Sequence, residues 1–444
     1  VTHAGTDADG RAEHDAARTP RSARTAPDGP RRPRPRRRWL RWAALSTSVL
    51  VLAAAGAGWT LYQRLDGNIR TDVGTEQELQ RYADQRPAAP SSKAKNILLL
   101  GSDNRGGGNS AYGRDEGSAR SDTAILLHIA GDRRSATGVS LPRDLMTDVP
   151  ACTRPDGSRS RAQFAQFNWA FQFGGAACTI RTVEKLTGLR VDHHLVLDFS
   201  GFKSLVDTVG GVEVCLPGAV HDRDAKLDLP AGRQTLGGED ALSYVRARHG
   251  LGNGSDTGRM GRQQQFLGSL VKKVRGNGVL LNPAKLYPVL HSATSALTAD
   301  GGLDSLSELY ELVRGVRDID EDQVRFLTVP RKSYRLDSNR DELVQPAADR
   351  LFAQLREDRP VRVASGGGGD GEHSREAAPG PSIRHGAHPR NQAPGGVVGS
   401  SVHGSREQQA PLDGDEPGKP GEVYKGTTAA HDICTADNAE NGLN

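Results

Sequence analysis

Arginines and aspartates gather at four places in this sequence, and their types and spacing fit one kind of chemistry. Gly101-Ser102-Asp103-Asn104-Arg105 follows an apolar run, Arg120-Ser121-Asp122-Thr123 leads into a second, and Pro142-Arg143-Asp144 closes a third. The densest cluster is Tyr244-Val245-Arg246-Ala247-Arg248-His249, followed by Asp256, Arg259, Arg262 and Gln263. Guanidinium groups stay charged at any physiological pH and fork onto phosphate oxygens, so several together point to an oxyanion-rich ligand. If 244–248 is extended, period-two alternation sets Arg246 and Arg248 on one face. Helical spacing sets Arg259, Arg262 and Gln263 on another face, in first turns whose free amides and dipole also attract anions. Asp103 and Asp122 are either turn and cap residues or ligands of a hard divalent cation, since Mg²⁺ takes one or two carboxylates plus substrate phosphates. A lone Arg-x-Arg is usually a solvated pair, and Arg143-Asp144 alone is a local ion pair of little worth. The weight lies in four such clusters beside buried strands.

Other chemistries lack their residues. The glycines at 106–108 are not followed by Gly-Lys-Ser/Thr, so they form no Walker loop, and no Gly-x-Ser-x-Gly elbow occurs. His193-His194 reads as the start of a strand, and no Cys/His spacing suits zinc.

The elements that must position these clusters can be read from periodicity. Short apolar runs at 96–101, 123–129, 136–141, 191–199, 212–216 and 324–329 predict strands. Helical spacing predicts helices at 201–209, 258–275, 283–297, 303–317 and 343–355, with 239–245 helical or mixed. Mixed strands and helices imply an α/β or α+β layered domain around one central sheet, occupying residues 93–360. The apolar residues Phe202, Leu205 and Val209, and Phe266, Leu270 and Val274, form helix faces that serve either as core or as the lining of an apolar cavity.

The ends of the chain differ from this middle. Residues 1–41 hold eleven Arg and five acidic residues with almost no large apolar side chain, which predicts a disordered basic arm. Residues 42–62 are uncharged, and as a helix they would span about 31 Å, close to a bilayer's hydrocarbon thickness. Arginines at 36, 37, 38 and 41 precede them, so the positive-inside tendency predicts a single-pass anchor with the N-terminus cytoplasmic and the body outside. A cleaved signal peptide is the other reading, with Ala55-Gly56-Ala57 as its cleavage site; both export the body. The basic arm would then lie against membrane lipid, and no nucleic-acid partner is expected. Residues 63–92 read as a stalk and 361–444 as a disordered Gly/Pro-rich tail. Cys152 and Cys178 flank a loop-like stretch and are expected to pair in an oxidising exterior. Cys215, in an apolar run, is expected to be a buried thiol, and Cys434 has no assignable partner.

Taken in order, NILLLGSDNR at 96–105, RSDT at 120–123, SLPRD at 140–144 and DFSGF at 198–202 resemble successive signatures of the LytR-CpsA-Psr family. FNWAFQFGG at 167–175, VDTVGGVEV at 206–214, YVRARH at 244–249 and DTGRMGRQQ at 256–264 continue the likeness, which covers about residues 94–330. The resemblance implies an α-β-α domain with a central mixed sheet and an apolar tunnel for a polyprenyl chain. It implies a phosphotransferase that moves a glycopolymer from a polyprenyl-pyrophosphate carrier onto peptidoglycan. Carried over by motif, Asp103 and Asp122 would hold Mg²⁺, and Arg120, Arg143, Arg246, Arg248, Arg259 and Gln263 would contact the pyrophosphate. Arg105 and Arg262 are weaker members of that set. Two rival expectations share the site: a non-catalytic binder of anionic wall polymer, and a hydrolase that uses water as acceptor. The stretch 106–117 looks like an inserted loop, and no second folded C-terminal domain is expected.

Overall fold

The computed structural model describes residues 36–90, 92–102, 121–154, 156–216, 218–247, 256–276, 283–365, 422–431 and 434. Two units are separable, 1–60 and 61–444. The described part of the first lies in helix α1 (Arg36–Asp66), whose stretch Arg38–Asp66 is long and apolar enough to cross a bilayer.

The second unit opens with β1 (Arg70–Thr71) and α2 (Val73–Arg81), followed by β2 (Lys95–Ser102), β3 (Ser121–Ile129), β4 (Ala136–Leu141), β5 (Met146–Val149) and β6 (Gln163–Gln166). Helix α3 (Asn168–Thr187) then leads to β7 (His193–Asp198), α4 (Phe199–Thr208), β8 (Val212–Leu216), β9 (Val220–Asp222), β10 (Leu227–Leu229) and β11 (Gly232–Leu236). Three helices follow: α5 (Gly238–Arg246), α6 (Asp256–Gly276) and α7 (Pro283–Ala296). The remainder is β12 (Leu297–Ala299), α8 (Leu306–Arg317), β13 (Val324–Thr328), β14 (Arg331–Tyr334), β15 (Asp337–Leu343), α9 (Ala347–Arg356), β16 (Arg362–Ser365) and β17 (Val423–Thr428).

Nine strands form one mixed sheet in the order β1-β12-β7-β2-β3-β4-β13-β17-β16, so the expected α/β class with a central mixed sheet holds. Strands β7, β2, β4 and β13 run the same way, with β3 antiparallel between β2 and β4. Alternation along the strands builds two different faces. Leu98 and Leu100 of β2 join Leu126, Val139 and Leu327 in a core closed by Ile180 and Val183 of α3 and by Leu351, Phe352 and Leu355 of α9. Ile97 and Leu99 point the other way, toward α6 and α8. A further apolar cluster ties α4, β8, α5 and Phe266 of α6 together.

Four sequence expectations need correction. Residues 63–92 are not a bare stalk: Leu65 and Ile69 are buried, β1 extends the sheet beside β12, and Asp72 caps α2 by accepting from the Thr75 amide. Their polar composition hides this, because a two-residue edge strand and a capped helix need few apolar side chains. The tail is not wholly unstructured either. β17 inserts between β13 and β16, and Cys434 bonds Cys215 across 219 residues of sequence. Cys215 is therefore no free thiol. The Tyr244–Arg248 segment is not extended; its described part ends helix α5 at Arg246. The pair Cys152–Cys178 is bonded, with Cα atoms 5.6 Å apart. Gly174 clears the way for it, since a Cβ there would come within 3.2 Å of the Cys152 Cβ.

Candidate active site

Between the sheet and helices α4, α5 and α6 lies a cavity of about 850 Å³. Its floor follows from strand register. Thr123, Gly101 and Leu197 stand side by side across β3, β2 and β7, and Ile125, Leu99 and Leu195 form the next row inward. Gly101 matters here because a Cβ would meet the Thr123 Cβ at 3.2 Å and encroach on the floor. Phe202 of α4, Leu242 and Val245 of α5, and Phe266 and Leu267 of α6 complete an apolar wall. Their source is the helical spacing noted in the sequence. Phe202 and Phe266 do line the space, while Val209 is buried in the cluster behind it, with Leu270 and Val274 packed against that cluster.

Helix α6 carries the change in character. Arg259 and Gln263, one turn apart, line the cavity near the helix start; Phe266 and Leu267 line it one turn further on. Arg246 and Asp122 join the polar end. A small adjoining pocket brings Arg143 to the same place, lined also by Asp122, Arg259 and Gln263. These groups sit at the carboxyl ends of β2, β4 and β7, where open α/β sheets bind ligands.

Hydrogen bonds fix several of them. Arg143 donates from Nη1 to Asp122 Oδ1 (2.9 Å) and from Nε to Asp144 Oδ2 (3.1 Å). The Arg246 guanidinium lies 4.4 Å from the centre of the Phe199 ring, a cation–π contact that holds it over the cavity wall. Gln263 Nε2 donates to the Val245 carbonyl (3.1 Å) and toward Thr123 Oγ1 (3.4 Å). Gln264 Nε2 ties α6 to the sheet through Ser140 Oγ (3.1 Å) and Thr328 Oγ1 (2.9 Å). Asp198, which lines the cavity, caps α4 by accepting from the Gly201 amide at 2.7 Å.

The structure separates Arg262 from this group. It does not line the cavity; its buried guanidinium donates to the Ala247 carbonyl at the end of α5. Burial pushes it below the usual arginine range, while Tyr244 and Asp222 pull the other way. Its position is a helix phase effect, since residue 262 points off the 259–263 stripe. Asp103, Arg105, Arg120 and Arg248 lie outside the described residues. Sequence reasoning missed Lys203, Asp222, Asp224, Lys226 and Glu239, which also line the cavity. Lys203 pairs with Glu239 at 3.0 Å, and Asp222 Oδ1 accepts the Asp224 and Ala225 amides. The DFSGF run stops one residue short of Lys203, and the others occupy polar stretches without a pattern.

The histidine pair has its own role. His193 begins β7 as expected and bonds Asp300 (3.1 Å), while buried His194 meets Asp72 (3.3 Å). Burial alone would raise Asp72, but the bonds from His194 and Thr75 outweigh it and hold its carboxyl near about 2. Among the described residues no three carboxylate, His or Cys groups gather as a metal site. Of the two carboxylates bonded to Arg143, Asp122 is the one that lines the cavity, and its remaining oxygen suits a hard cation that shares phosphate ligands.

The chain matches the LytR_cpsA_psr family over residues 65–357. It is 35% identical over 316 residues to the cell wall biosynthesis protein LcpA of Corynebacterium glutamicum, covering 64% of this chain and 58% of that one. It is 30% identical over 262 residues to the polyisoprenyl-teichoic acid–peptidoglycan teichoic acid transferase TagU of Enterococcus faecalis, covering 59% and 78%. A solved LytR-Csp2A-Psr enzyme from Actinomyces oris aligns with a TM-score of 0.48 at 23% identity, covering 61% of this chain and 96% of that one. The chain spans little more than half the length of the two C. glutamicum relatives it matches, 58% and 52%. With two thirds of its length inside the family's bounds, the chain is a member of the LytR-CpsA-Psr family.

Proposed function

We propose that this chain is a Mg²⁺-dependent phosphotransferase that moves a glycan from a polyprenyl-pyrophosphate carrier onto a peptidoglycan hydroxyl. One observation carries the reading: a single face of α6 passes from Arg259 and Gln263 to Phe266 and Leu267 along one cavity. Such a gradient suits an amphiphile with an oxyanion head and a long apolar tail. The names of the TagU and LcpA relatives agree with it.

In this reading Arg143, Arg246 and Arg259 hold the pyrophosphate and neutralise the charge that grows on its oxygens. Arg120, Arg248 and Arg105 would add to them. Asp122, with Asp103, would hold Mg²⁺, which supplies further charge neutralisation when bound. Gln263, whose amide donates to Val245 and Thr123, holds α6 against α5 and the sheet so that Arg259 faces the phosphates. The acceptor oxygen forms a bond to the glycan-side phosphorus, the bridging P–O bond breaks, and polyprenyl monophosphate leaves with the electron pair. The hydroxyl proton passes to a base. The apolar wall keeps the carrier's chain out of water. Helix α1 would anchor the chain with its arginine-rich end in the cytoplasm and the second unit outside, where both disulfides persist.

The test is incubation of the full chain with labelled polyprenyl-pyrophosphate glycan, peptidoglycan and Mg²⁺. Label in peptidoglycan supports transfer. Label in free glycan phosphate means hydrolysis, and unchanged donor means binding only; either result overturns the proposal.

A further inference from the structure

The run Pro142-Arg143-Asp144 sets a carboxylate beside an arginine, and as an exposed neighbouring pair it would be worth little. The structure gives Asp144 another setting. The Arg143 and Asp144 side chains are 18% and 17% exposed, with Arg143 Nε donating to Asp144 Oδ2 at 3.1 Å. The other carboxylate oxygen accepts from Gln166 Nε2 of β6 at 2.6 Å and faces Arg340 Nη1 of β15 at 3.7 Å. Two hairpins from distant parts of the chain therefore clasp this carboxylate while it clasps Arg143.

The backbone beneath the pair is pinned as well. The Arg143 carbonyl accepts the Asn168 amide at 3.0 Å, the Asp144 carbonyl the Asp341 amide at 3.1 Å, and the Leu145 carbonyl the Phe167 amide at 2.8 Å. Leu145 lies in the closed core under α3 and α9. Arg143 and Asp122 line the pocket at the cavity mouth, and Arg143 Nη1 donates to Asp122 Oδ1 at 2.9 Å. Asp144 lines neither the cavity nor that pocket, so it can act on a ligand there only through Arg143. Held at Nε, the guanidinium has already lost rotamer freedom that a ligand would otherwise have to take from it. The charge of Asp144 matters too, because a charge-assisted hydrogen bond is about twice as strong as a neutral one.

We propose that Asp144 is a positioning residue: held by Gln166 and Arg340, it fixes the Arg143 guanidinium at the cavity mouth for a pyrophosphate. The proposal rests on the reading above that Arg143 meets that group. It gives a role to the third residue of Pro-Arg-Asp, which touches no ligand itself.

The test is a double-mutant cycle on the full chain in detergent, read by calorimetric binding of farnesyl pyrophosphate and by the transfer rate. Asp144→Asn keeps the shape and removes the charge; it weakens binding about tenfold and lowers kcat about tenfold or more. In the Arg143→Ala background the same change costs nothing further, since the group through which it acts is gone. Gln166→Ala gives a smaller loss of the same kind, about threefold, and that loss also vanishes without Arg143. Thermal unfolding checks that each variant is folded, and if Asp144→Asn is not, the Gln166→Ala cycle decides. Equal losses in both backgrounds, or no loss in either, mean a merely structural pair and overturn the proposal. So does wild type that binds no farnesyl pyrophosphate. Wild type that binds it without transferring label refutes the transferase and leaves the binding cycle to decide Asp144.

Discussion

The two faces of the central sheet use the same strands and end in opposite states. On one, Leu98, Leu100 and Leu126 lie within a closed core, each at most 1% exposed, under α3 and α9. On the other, Leu99, Ile125 and Leu197 border a cavity of about 850 Å³ under α4, α5 and α6. A dry, closed void of that size would cost about 20 kcal/mol at the usual ~24 cal/mol per Å³, more than a domain's whole stability. The cavity is instead open, with a polar mouth at one end through which solvent or a ligand can enter. One face is closed core, and the other leaves room for a guest.

The largest way to break this contrast is at the mouth. Asp122→Ala or Arg246→Ala should lower the transfer rate by about 10²-fold or more, with the thermal midpoint little changed. Retained transfer by either folded variant would contradict the site. Next comes the closed face. Leu126→Ala should cost about 3 kcal/mol in denaturant unfolding, whereas Leu197→Ala on the cavity floor should cost about 1 kcal/mol or less. Equal costs would mean that both faces are ordinary core. A third, smaller effect comes from filling the space. Leu197→Trp should keep the unfolding midpoint yet raise the donor KM by about tenfold, by occupying room meant for the chain.

The sequence made the closed face legible and the open one only partly so. Strands 136–141 and 212–216 were readable to the residue, because Pro142 closes the first and Gly210-Gly211 open the second. Arg259 and Gln263 were readable as one stripe from their spacing. Arg262 was not separable from them, because residues three apart share a face only approximately, and packing against Ala247 decided its direction. The Tyr244–Arg248 run misled because Val245 beside charged neighbours fits alternation as well as a helix end. The strand 423–428 was hidden by the Gly/Pro-rich composition around it, and the Cys215–Cys434 bond by 219 residues of separation.

The smallest expected effect concerns pH and belongs to the sheet rather than the cavity. Burial lowers the His128 pKa from its usual value, opposed by Asp358, and the ring also bonds Asn96 at 2.8 Å. The folded state thus binds this proton less tightly than the unfolded chain. Stability should be fully present above pH 6.5 and fall as the pH drops below it. Urea midpoints at pH 7.5 and 5.5 should differ in that direction, and His128→Gln should reduce the difference. No change in His128→Gln would assign the dependence to other groups.

The central claim, that the open face receives a polyprenyl chain while α6 holds its phosphates, has a direct test. A polyprenyl-pyrophosphate glycan with a photoreactive group along its chain is irradiated with the full protein, and the labelled peptides are mapped. The account predicts labels on Leu195, Phe202, Phe266 and their neighbours in the cavity, lost when Arg259 is replaced by Ala. Labels on α3 or α9, or cavity labels that persist without Arg259, would contradict it.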